Sequence, residues 1–395
     1  MKFFTLIFVC MLAGAELDLF IPSFPELQKV FGLTPFMVQW TLSVNFCAYC
    51  ASSLVVGALG DRFGCRPVLL WGLVVFIGGS ILCTFPPNYA VLILGRFLQG
   101  VGTAAPAVLA YVVIAEDYPP EKQPHLFGLV NGVVTIAVAF APVVGSYINL
   151  FFNWRGNFLA LLIFGVVGLL LCYVYIPFKE PVGKESSRSR VFSLAAYVPL
   201  LRSKEFMTYV CGICFLIAPY WVFTGMAPLL YMEALHVPLA HFGFYQGTLA
   251  GAFAIVSLTS GFLLRAIGHE KSFYLGWGLA LLGTLGVLVV GWCDSGSPLL
   301  ITAVFIPLSI GVVFPVNMLY PRALAVHGED RGKGMAILLA ARLILSSLGL
   351  QVVSFFYQGT LWPIALATTF GALISAVAIV ILLRKKSLSF MGGSS

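Results

Sequence analysis

Long apolar runs separated by short polar segments dominate the chain. Each run has about 20 residues, the length that an α-helix needs to cross the hydrocarbon core of a bilayer. Of the 395 residues, 60% are hydrophobic and 9% are charged, whereas soluble domains have about 45–50% apolar and about 25% charged residues. This pattern excludes a soluble enzyme, a disulfide-stapled secreted domain and a disordered scaffold. It also excludes a transmembrane β-barrel, whose strands alternate in hydrophobicity over about 10 residues.

The apolar runs predict an all-α polytopic membrane protein with twelve transmembrane helices in two six-helix bundles. The expected spans lie at about 4–25, 39–60, 67–86, 91–115, 126–150, 157–177, 206–232, 243–266, 272–292, 298–322, 333–357 and 363–383. One long polar stretch separates six spans from the other six. We therefore expect an N-terminal bundle at 1–177, a cytoplasmic linker at 178–205, a C-terminal bundle at 206–386 and a flexible tail at 387–395.

The first span also has the outline of a signal peptide. The string MKFFTLIFVCMLAGA combines a basic start, an apolar centre and small residues at 13–15. We interpret it as a membrane span, because its removal would leave an odd number of spans and break the six-plus-six pattern.

The distribution of basic residues predicts the orientation in the membrane. With the N-terminus inside, eighteen of the 22 Lys and Arg residues lie on the inner side, Lys29 and Arg155 lie outside, and Arg96 and Arg342 lie within spans. Cytoplasmic loops collect Lys and Arg, so both termini and the linker are expected in the cytoplasm. The same rule accounts for the net charge of +7, and we expect no nucleic-acid partner.

Two loops at matching positions of the two halves have similar sequences. GALGDRFG follows span 2 at 57–64, and GFLLRAIG follows span 8 at 261–268. Their outer glycines are seven positions apart in both loops. This repetition favours a transporter built from two parallel repeats.

The first of these loops, GALGDRFGCRP, resembles the signature loop G-x-x-x-D-R-x-G-R-R of the major facilitator superfamily. The matching residues are Gly57, Asp61, Arg62, Gly64 and Arg66. Glycines allow a tight turn, and a carboxylate with arginines can lock the cytoplasmic helix ends in one state. The resemblance implies a conformational lock at this loop.

Further strings resemble particular branches of this superfamily. LGRFLQGVGTAA in span 4 resembles the exporters' motif R-x-x-x-G-x-G, and the matching residues are Arg96, Gln99, Gly100 and Gly102. The strings DLFIPSFPEL, NWRGNF and APLLYMEALHV resemble the Bcr/CflA-type branch, which consists of drug:proton antiporters with twelve spans.

The fifth span contains part of an antiporter motif. AFAPVVGS resembles G-P-x-x-G-G through Pro142 and Gly145, and departs from it at Ala141 and Ser146. The resemblance therefore implies antiport, with an incomplete motif.

Four charged residues lie inside spans: Glu16, Asp18, Arg96 and Arg342. Each costs at least about 2.5–3.5 kcal/mol at the centre of a span, so such residues usually have a function. Glu16 and Asp18 are two positions apart and point about 200° apart on a regular helix, although Pro22 is expected to distort the next turn.

We hypothesise that Asp18, helped by Glu16, carries an exchanged proton. Burial favours the neutral form of a carboxyl group, which can then hold a proton near neutral pH. The resemblance ties the span 4 arginine, Arg96, to proton exchange. The alternative is a static pair of one carboxylate with Arg96 that only holds spans 1 and 4 together.

A substrate cavity is expected where polar and aromatic side chains face inward. The candidates are Asn45, Tyr49, Asn131, Tyr220, Trp221, Tyr231, Gln246, Asn317 and Arg342. Arg342 has three alternatives: contact with an anionic substrate, pairing with a span 1 carboxylate, or snorkelling to the cytoplasmic interface.

The sequence contains no motif for a metal site, ATP hydrolysis or catalysis. We therefore expect no enzyme and no cofactor, with the proton gradient as the energy source. The leading interpretation is a monomeric transporter of the inner membrane that exports a small amphipathic, drug-like compound in exchange for protons. The alternatives are a dedicated siderophore or metabolite transporter in either direction, and a non-transporting membrane sensor.

Overall fold

The computed structural model describes residues 1–119, 121–178, 197–326 and 331–384, and this part of the chain is helical without strands. Most of the expected linker, 179–196, and the tail at 387–395 lie outside the described residues. The helices are α1 Lys2–Phe20, α2 Phe24–Phe31, α3 Pro35–Phe63, α4 Cys65–Thr84, α5 Tyr89–Asp117, α6 Gln123–Tyr175, α7 Val198–Arg202, α8 Lys204–Pro228, α9 Leu239–Ile267, α10 His269–Trp292, α11 Pro298–Gly311, α12 Val313–Ala325, α13 Arg331–Phe355 and α14 Trp362–Arg384.

Eleven helical segments within the described ranges are long and apolar enough to cross a membrane. One of them, His125–Tyr175, has 51 residues, which corresponds to about 76 Å of helix, more than twice the thickness of a bilayer core. Asn153 interrupts it with φ 54° and ψ −174°, so it divides into two spans at that residue. The twelve-span, all-α fold class is thereby confirmed for the described residues.

Three spans depart from regular α-helix. The first ends at Phe20 and continues through a 3-10 turn, Ile21–Ser23, into α2, because Pro22 cannot donate a backbone hydrogen bond. The seventh closes with a π-helical turn, Leu229–Ala234. The tenth, expected as one run, is divided at Val312 into α11 and α12.

Polar side chains set the starts of several spans. Thr34 accepts a hydrogen bond from the Met37 amide at 3.3 Å before α3, and Asn88 accepts one from the Val91 amide at 3.0 Å before α5. Such caps satisfy amides at the first turn that have no partner within the helix.

The matching loops of the two halves have the same backbone geometry at one glycine. Gly64 has φ 88° and ψ 149°, and Gly268 has φ 89° and ψ 152°. Each precedes the next membrane helix directly. Only glycine adopts such positive φ values without steric strain, so both loops require it.

The chain forms two compact units. One is Met1–Phe192 with Pro238–Gly247, and the other is Ser193–Val237 with Thr248–Ser395. The core of the second unit packs aromatic and aliphatic side chains of α8, α10, α12, α13 and α14. The expected bundle limits at 1–177 and 206–386 stay predictions.

Close packing in the first unit depends on glycines between α4 and α5. A Cβ atom on Gly79 would lie 2.7 Å from the Gln99 nitrogen and 2.7 Å from the Gly95 oxygen. Gly102, in the exporter-like string, lies against the backbone of α4 at Gly72 and Phe76 in the same way. The two helices therefore touch through their backbones.

We expect Gly79→Ala to lower the apparent melting temperature of the purified protein, measured in detergent. The added methyl group overlaps the backbone of α5, and overpacking of this kind costs about 1–3 kcal/mol. Gly78 is the matched control, because a Cβ atom there meets nothing within 4 Å. Gly78→Ala should leave the melting temperature unchanged or raise it; equal losses in both variants would contradict the close backbone contact.

Candidate functional site

Both carboxylates of the first span lie in the interior of the first unit. Glu16 is 1% exposed and Asp18 is 4% exposed, and both belong to α1. Arg96 of α5 is 0% exposed. Glu16 and Asp18 differ in their hydrogen-bond and ionic partners, so the two carboxylates can do different chemistry.

Glu16 has hydrogen-bond partners on two neighbouring helices. Its Oε1 accepts from Asn45 Nδ2 at 2.7 Å and from Arg96 Nη1 at 3.0 Å. Its Oε2 lies 2.6 Å from Thr103 Oγ1. The carboxylate of α1 is thus held by α3 and α5 together. Asn45, which is expected in the substrate cavity, contacts this ion pair, and its cavity role stays a prediction.

Arg96 is enclosed by polar and aromatic groups. Its Nε donates to the Thr41 carbonyl at 3.1 Å, and its Nη1 also donates to Gln99 Oε1 at 2.7 Å. Its guanidinium carbon lies 4.7 Å from the ring centre of Phe20. A buried ion pair is stable only where such additional bonds replace lost solvation.

Asp18 stands apart from this network. Among the described residues no Lys or Arg nitrogen lies within 4 Å of its carboxylate, and its buried Oδ2 has no hydrogen-bond partner. The next carbonyl along the chain, that of Leu19, lies against Gly145 of α6. The antiporter-like string therefore packs directly beside the Asp18 turn.

The single hydroxyl proton of Thr103 limits the hydrogen bonds that this network can contain. Thr103 Oγ1 lies 2.6 Å from Glu16 Oε2 and 2.7 Å from the carbonyl oxygen of Gln99. A hydroxyl group has one proton, so it can donate to only one of these oxygens. A proton on Glu16 would complete the second hydrogen bond.

Two of the strings that resemble the Bcr/CflA branch pack on each other. Glu26 Oε2 accepts from the Trp154 amide at 2.9 Å, directly after the break at Asn153. Asn157 Nδ2 donates to Ser23 Oγ at 2.8 Å. We call these residues of 23–26 and 153–157 the clasp, because they join the end of the first span to the α6 break.

The other cavity candidates of the first unit are Asn131, Tyr49 and Gln246, and they differ in exposure. Tyr111 donates to Asn131 Oδ1 at 2.7 Å, and Asn131 is exposed. Tyr49 is half-buried on α3. Gln246 of α9 is buried, and neither polar atom of its side chain has a hydrogen-bond partner among the described residues.

The aromatic candidates of the second unit lie on α8 and its π-helical end. Tyr220 stacks on Phe253 of α9 with ring centres 5.9 Å apart, and Trp221 packs edge-on against Tyr220. Tyr231 is buried, and its hydroxyl lies 2.8 Å from Thr302 Oγ1. Tyr231 thus belongs to the packed interior of its unit.

The polar candidates of the second unit lie on α12 and α13. Asn317 is exposed and its Nδ2 is 3.4 Å from Ser260 Oγ. Arg342 is half-buried and hydrogen-bonds the side chain of Tyr320. Its Nε is buried without a partner, and no described carboxylate of this unit lies within 4 Å of its guanidinium.

The signature loop has an arginine on each side of Gly64, with Arg62 before it and Arg66 after it. Arg62 lies over the ring of Phe63 at 5.1 Å, and Arg62 and Asp61 are both exposed. Arg66 Nη2 donates to the Tyr173 carbonyl at 2.8 Å. Gly57 has open space around it, so the structure explains the need for Gly64 and not for Gly57.

An apolar cavity of about 690 Å³ lies in the second unit between α8, α13 and α14. None of the predicted cavity residues lines it. Within the described ranges there is no cluster of three or more His, Cys, Asp or Glu side chains that could hold a metal ion.

Several residues of the ion-pair network were not predicted as site residues. Gln99, Thr103 and Ser80 take part in it, with Gln99 Nε2 donating to Ser80 Oγ at 2.9 Å. A signal existed in the sequence, because Arg96, Gln99 and Thr103 have the spacing i, i+3, i+7 of one helix face.

We expect Arg96→Met to destabilise the protein strongly, since breaking a buried ion pair costs about 3–5 kcal/mol. The double variant Glu16→Gln/Arg96→Met removes the charge left behind and should be more stable than Arg96→Met alone. Apparent melting temperatures in detergent at pH 8 measure both effects. A double variant no more stable than the single one would contradict an energetic pairing.

Known proteins resemble this chain in sequence. The model of the Major Facilitator Superfamily matches residues 6–349. An uncharacterized MFS-type transporter of Bacillus subtilis is 26% identical over 352 residues, 87% of this chain and 86% of that protein. A bicyclomycin resistance protein homolog of Haemophilus influenzae is 25% identical over 315 residues, 79% and 77% of the two chains.

The fold has close counterparts among solved structures. The crystal structure of a POT family transporter in complex with a thioalcohol-conjugated peptide matches with a TM-score of 0.78 at 15% identity, covering 98% of this chain and 96% of that one. At this identity the match shows the fold alone. Since the family match spans most of the chain, the protein is a transporter rather than an enzyme, and it belongs to the major facilitator superfamily.

Proposed function

We propose that this protein exports a small amphipathic compound in exchange for protons, by alternating access of its two halves. One observation carries the proposal: among the residues that the structure describes, one oxygen of the buried Asp18 carboxylate has no hydrogen-bond partner. An unpaired charge inside a membrane span is costly, and binding a proton removes that charge. The proton gradient would then supply the energy without a cofactor.

The two carboxylates of α1 suit different tasks. Glu16 is held by Arg96 and by two further side chains, which favours a fixed position. Within the described part of the chain, Asp18 has no such cation within 4 Å, so its protonation state can change without breaking an ion pair. Asp18 is therefore the main proton carrier in this proposal.

Glu16 can assist through the shared hydroxyl of Thr103. When Glu16 binds a proton, both short contacts of Thr103 can be hydrogen bonds at once. The neutral form would also release Arg96 from its ionic partner. In this mechanism Arg96 loses its ionic partner when Glu16 of α1 binds a proton and regains it when Glu16 releases the proton.

The Haemophilus influenzae relative, by its name a bicyclomycin resistance protein homolog, supports a drug-like cargo. The aromatic pair Tyr220 and Trp221 offers a face for flat or cationic molecules.

We propose that the protein works as a monomer in the inner membrane, with both termini in the cytoplasm, because 18 basic residues border that side.

A second candidate function rests on Arg342. Among the described residues, the Nε of its half-buried guanidinium has no acceptor, and the group hydrogen-bonds Tyr320 rather than a carboxylate. An anionic cargo, such as a siderophore or another carboxylate-bearing metabolite, would supply the missing acceptor. This candidate shares the proton mechanism and differs in the cargo.

We expect Asp18→Asn to abolish substrate-driven proton flux, because an amide cannot bind and release the proton. The measurement is a fluorescence assay of proton flux in inverted vesicles. Asp294→Asn is the matched control: Asp294 is exposed, outside the spans, and has φ 46°, a conformation that asparagine tolerates. The control should retain full flux. Unchanged flux in Asp18→Asn would refute the proton role.

The same vesicles distinguish the cargo classes. Flux with cationic or neutral drugs favours the drug exporter, whereas flux only with anionic chelators favours the second candidate. In the second case Arg342→Gln should raise the half-saturating concentration of the chelator at least about tenfold, the loss expected for one charge-assisted hydrogen bond. If Glu16→Gln alone loses coupling while Asp18→Asn keeps it, the carrier is Glu16.

A further inference from the structure

A cavity of about 440 Å³ opens on the first unit where α4 begins and α6 ends. It is separate from the ion-pair network. Its lining combines one cationic side chain, Arg66, with apolar and aromatic side chains. These include Leu70, Trp71, Val74, Tyr173 and Phe178.

The apolar wall of this cavity is strongly exposed on the protein surface. Trp71 is 71% exposed, Tyr173 is 63% exposed and Phe178 is 56% exposed. All three lie in or directly beside segments long and apolar enough to cross a membrane. Large rings with this exposure therefore border lipid and not water.

The cation at the rim is fixed in place. Arg66 Nη2 donates to the Tyr173 carbonyl at 2.8 Å, and its guanidinium carbon lies 5.3 Å from the Tyr173 ring centre. This contact satisfies a carbonyl in the last turn of α6, which has no partner within its helix. The orientation of the guanidinium is thus set by the fold.

Most of the donor capacity of Arg66 is still available. A guanidinium has five N–H donors, and Nε of Arg66 is buried without an acceptor. No described carboxylate lies within 4 Å of its nitrogens; Glu116 nearby contacts Cys65, and Asp117 pairs with Lys2. Among the described residues, this guanidinium therefore has a donor without an acceptor and no carboxylate within 4 Å.

The order of these side chains along α4 suits a lipid, whose charged headgroup lies at the membrane interface and whose acyl chains lie deeper in the bilayer. Arg66 lies at the first turn of α4, directly after the polar signature loop. Trp71 and Val74 follow five and eight residues later, which places them about 8 and 12 Å further along the helix. Charge therefore stands at the interface, and the apolar wall runs into the hydrocarbon.

We propose that this cavity binds an anionic phospholipid from the leaflet that borders the basic loops. The lipid phosphate accepts hydrogen bonds from Arg66, and one acyl chain lies along Leu70, Trp71 and Val74 into the hydrocarbon. Anionic lipids are enriched on the side where basic loops lie. The occupant is a lipid and not a free phosphate, because most of the cavity wall is apolar.

Native mass spectrometry of the purified, delipidated protein tests this site with added phosphatidylglycerol or phosphatidylcholine of the same acyl chains. We expect preferential retention of phosphatidylglycerol, and Arg66→Gln should weaken it about fivefold, the effect of one cation near a lipid surface. Arg62→Gln is the matched control, because Arg62 lies in the same loop, is exposed and does not line the cavity. It should retain the lipid.

Two further measurements test the lipid site even if the Arg66→Gln variant folds poorly. Trp71→Ala should weaken retention of phosphatidylglycerol while leaving the cation in place, and inorganic phosphate should not displace the lipid. Equal losses in Arg66→Gln and Arg62→Gln, or equal retention of both lipids by the unmodified protein, would overturn the proposal. Binding is read without transport, so its failure leaves the export proposal untouched.

Discussion

The ion pair between Glu16 and Arg96 is the constraint on which the first unit depends. Neither charge can reach water, since their side chains are 1% and 0% exposed, and a lone charge there would cost several kcal/mol. The pair therefore requires donors and acceptors from neighbouring helices, and α3 and α5 supply them. Gly100 permits this arrangement, because any side chain there would collide with the Asn45 backbone.

The first span leads from this fixed pair to a second polar cluster. Asp18 lies two residues after Glu16, and the clasp begins at Ser23, after the turn that Pro22 imposes. The clasp uses Glu26 to satisfy the Trp154 amide left open by the α6 break. Asp18 thus lies between two anchored regions, and Gly145 lets α6 approach the same turn. Among the described residues, no group donates a hydrogen bond to Asp18 Oδ2, and the proposed proton role rests on this oxygen.

The signature loop joins this interior to the bilayer surface. Gly64 turns the chain at a positive φ, and Arg66 then reaches across to the end of α6. The same guanidinium faces the apolar cavity beside Trp71. In the lipid-binding proposal, the loop that resembles the superfamily's signature thus supplies the cation of the site.

The amino-acid sequence by itself determined the membrane spans, the family and the presence of costly charges in the interior. Those features follow from composition and local spacing, because a bilayer demands long apolar helices whatever their neighbours are. Only the tertiary structure decided which carboxylate is paired. Asn45 and Thr103 lie 29 and 87 positions from Glu16, so no local pattern relates them. Their contacts arise from helix packing, which assigns Glu16 to a fixed network and leaves Asp18 with an unsatisfied oxygen.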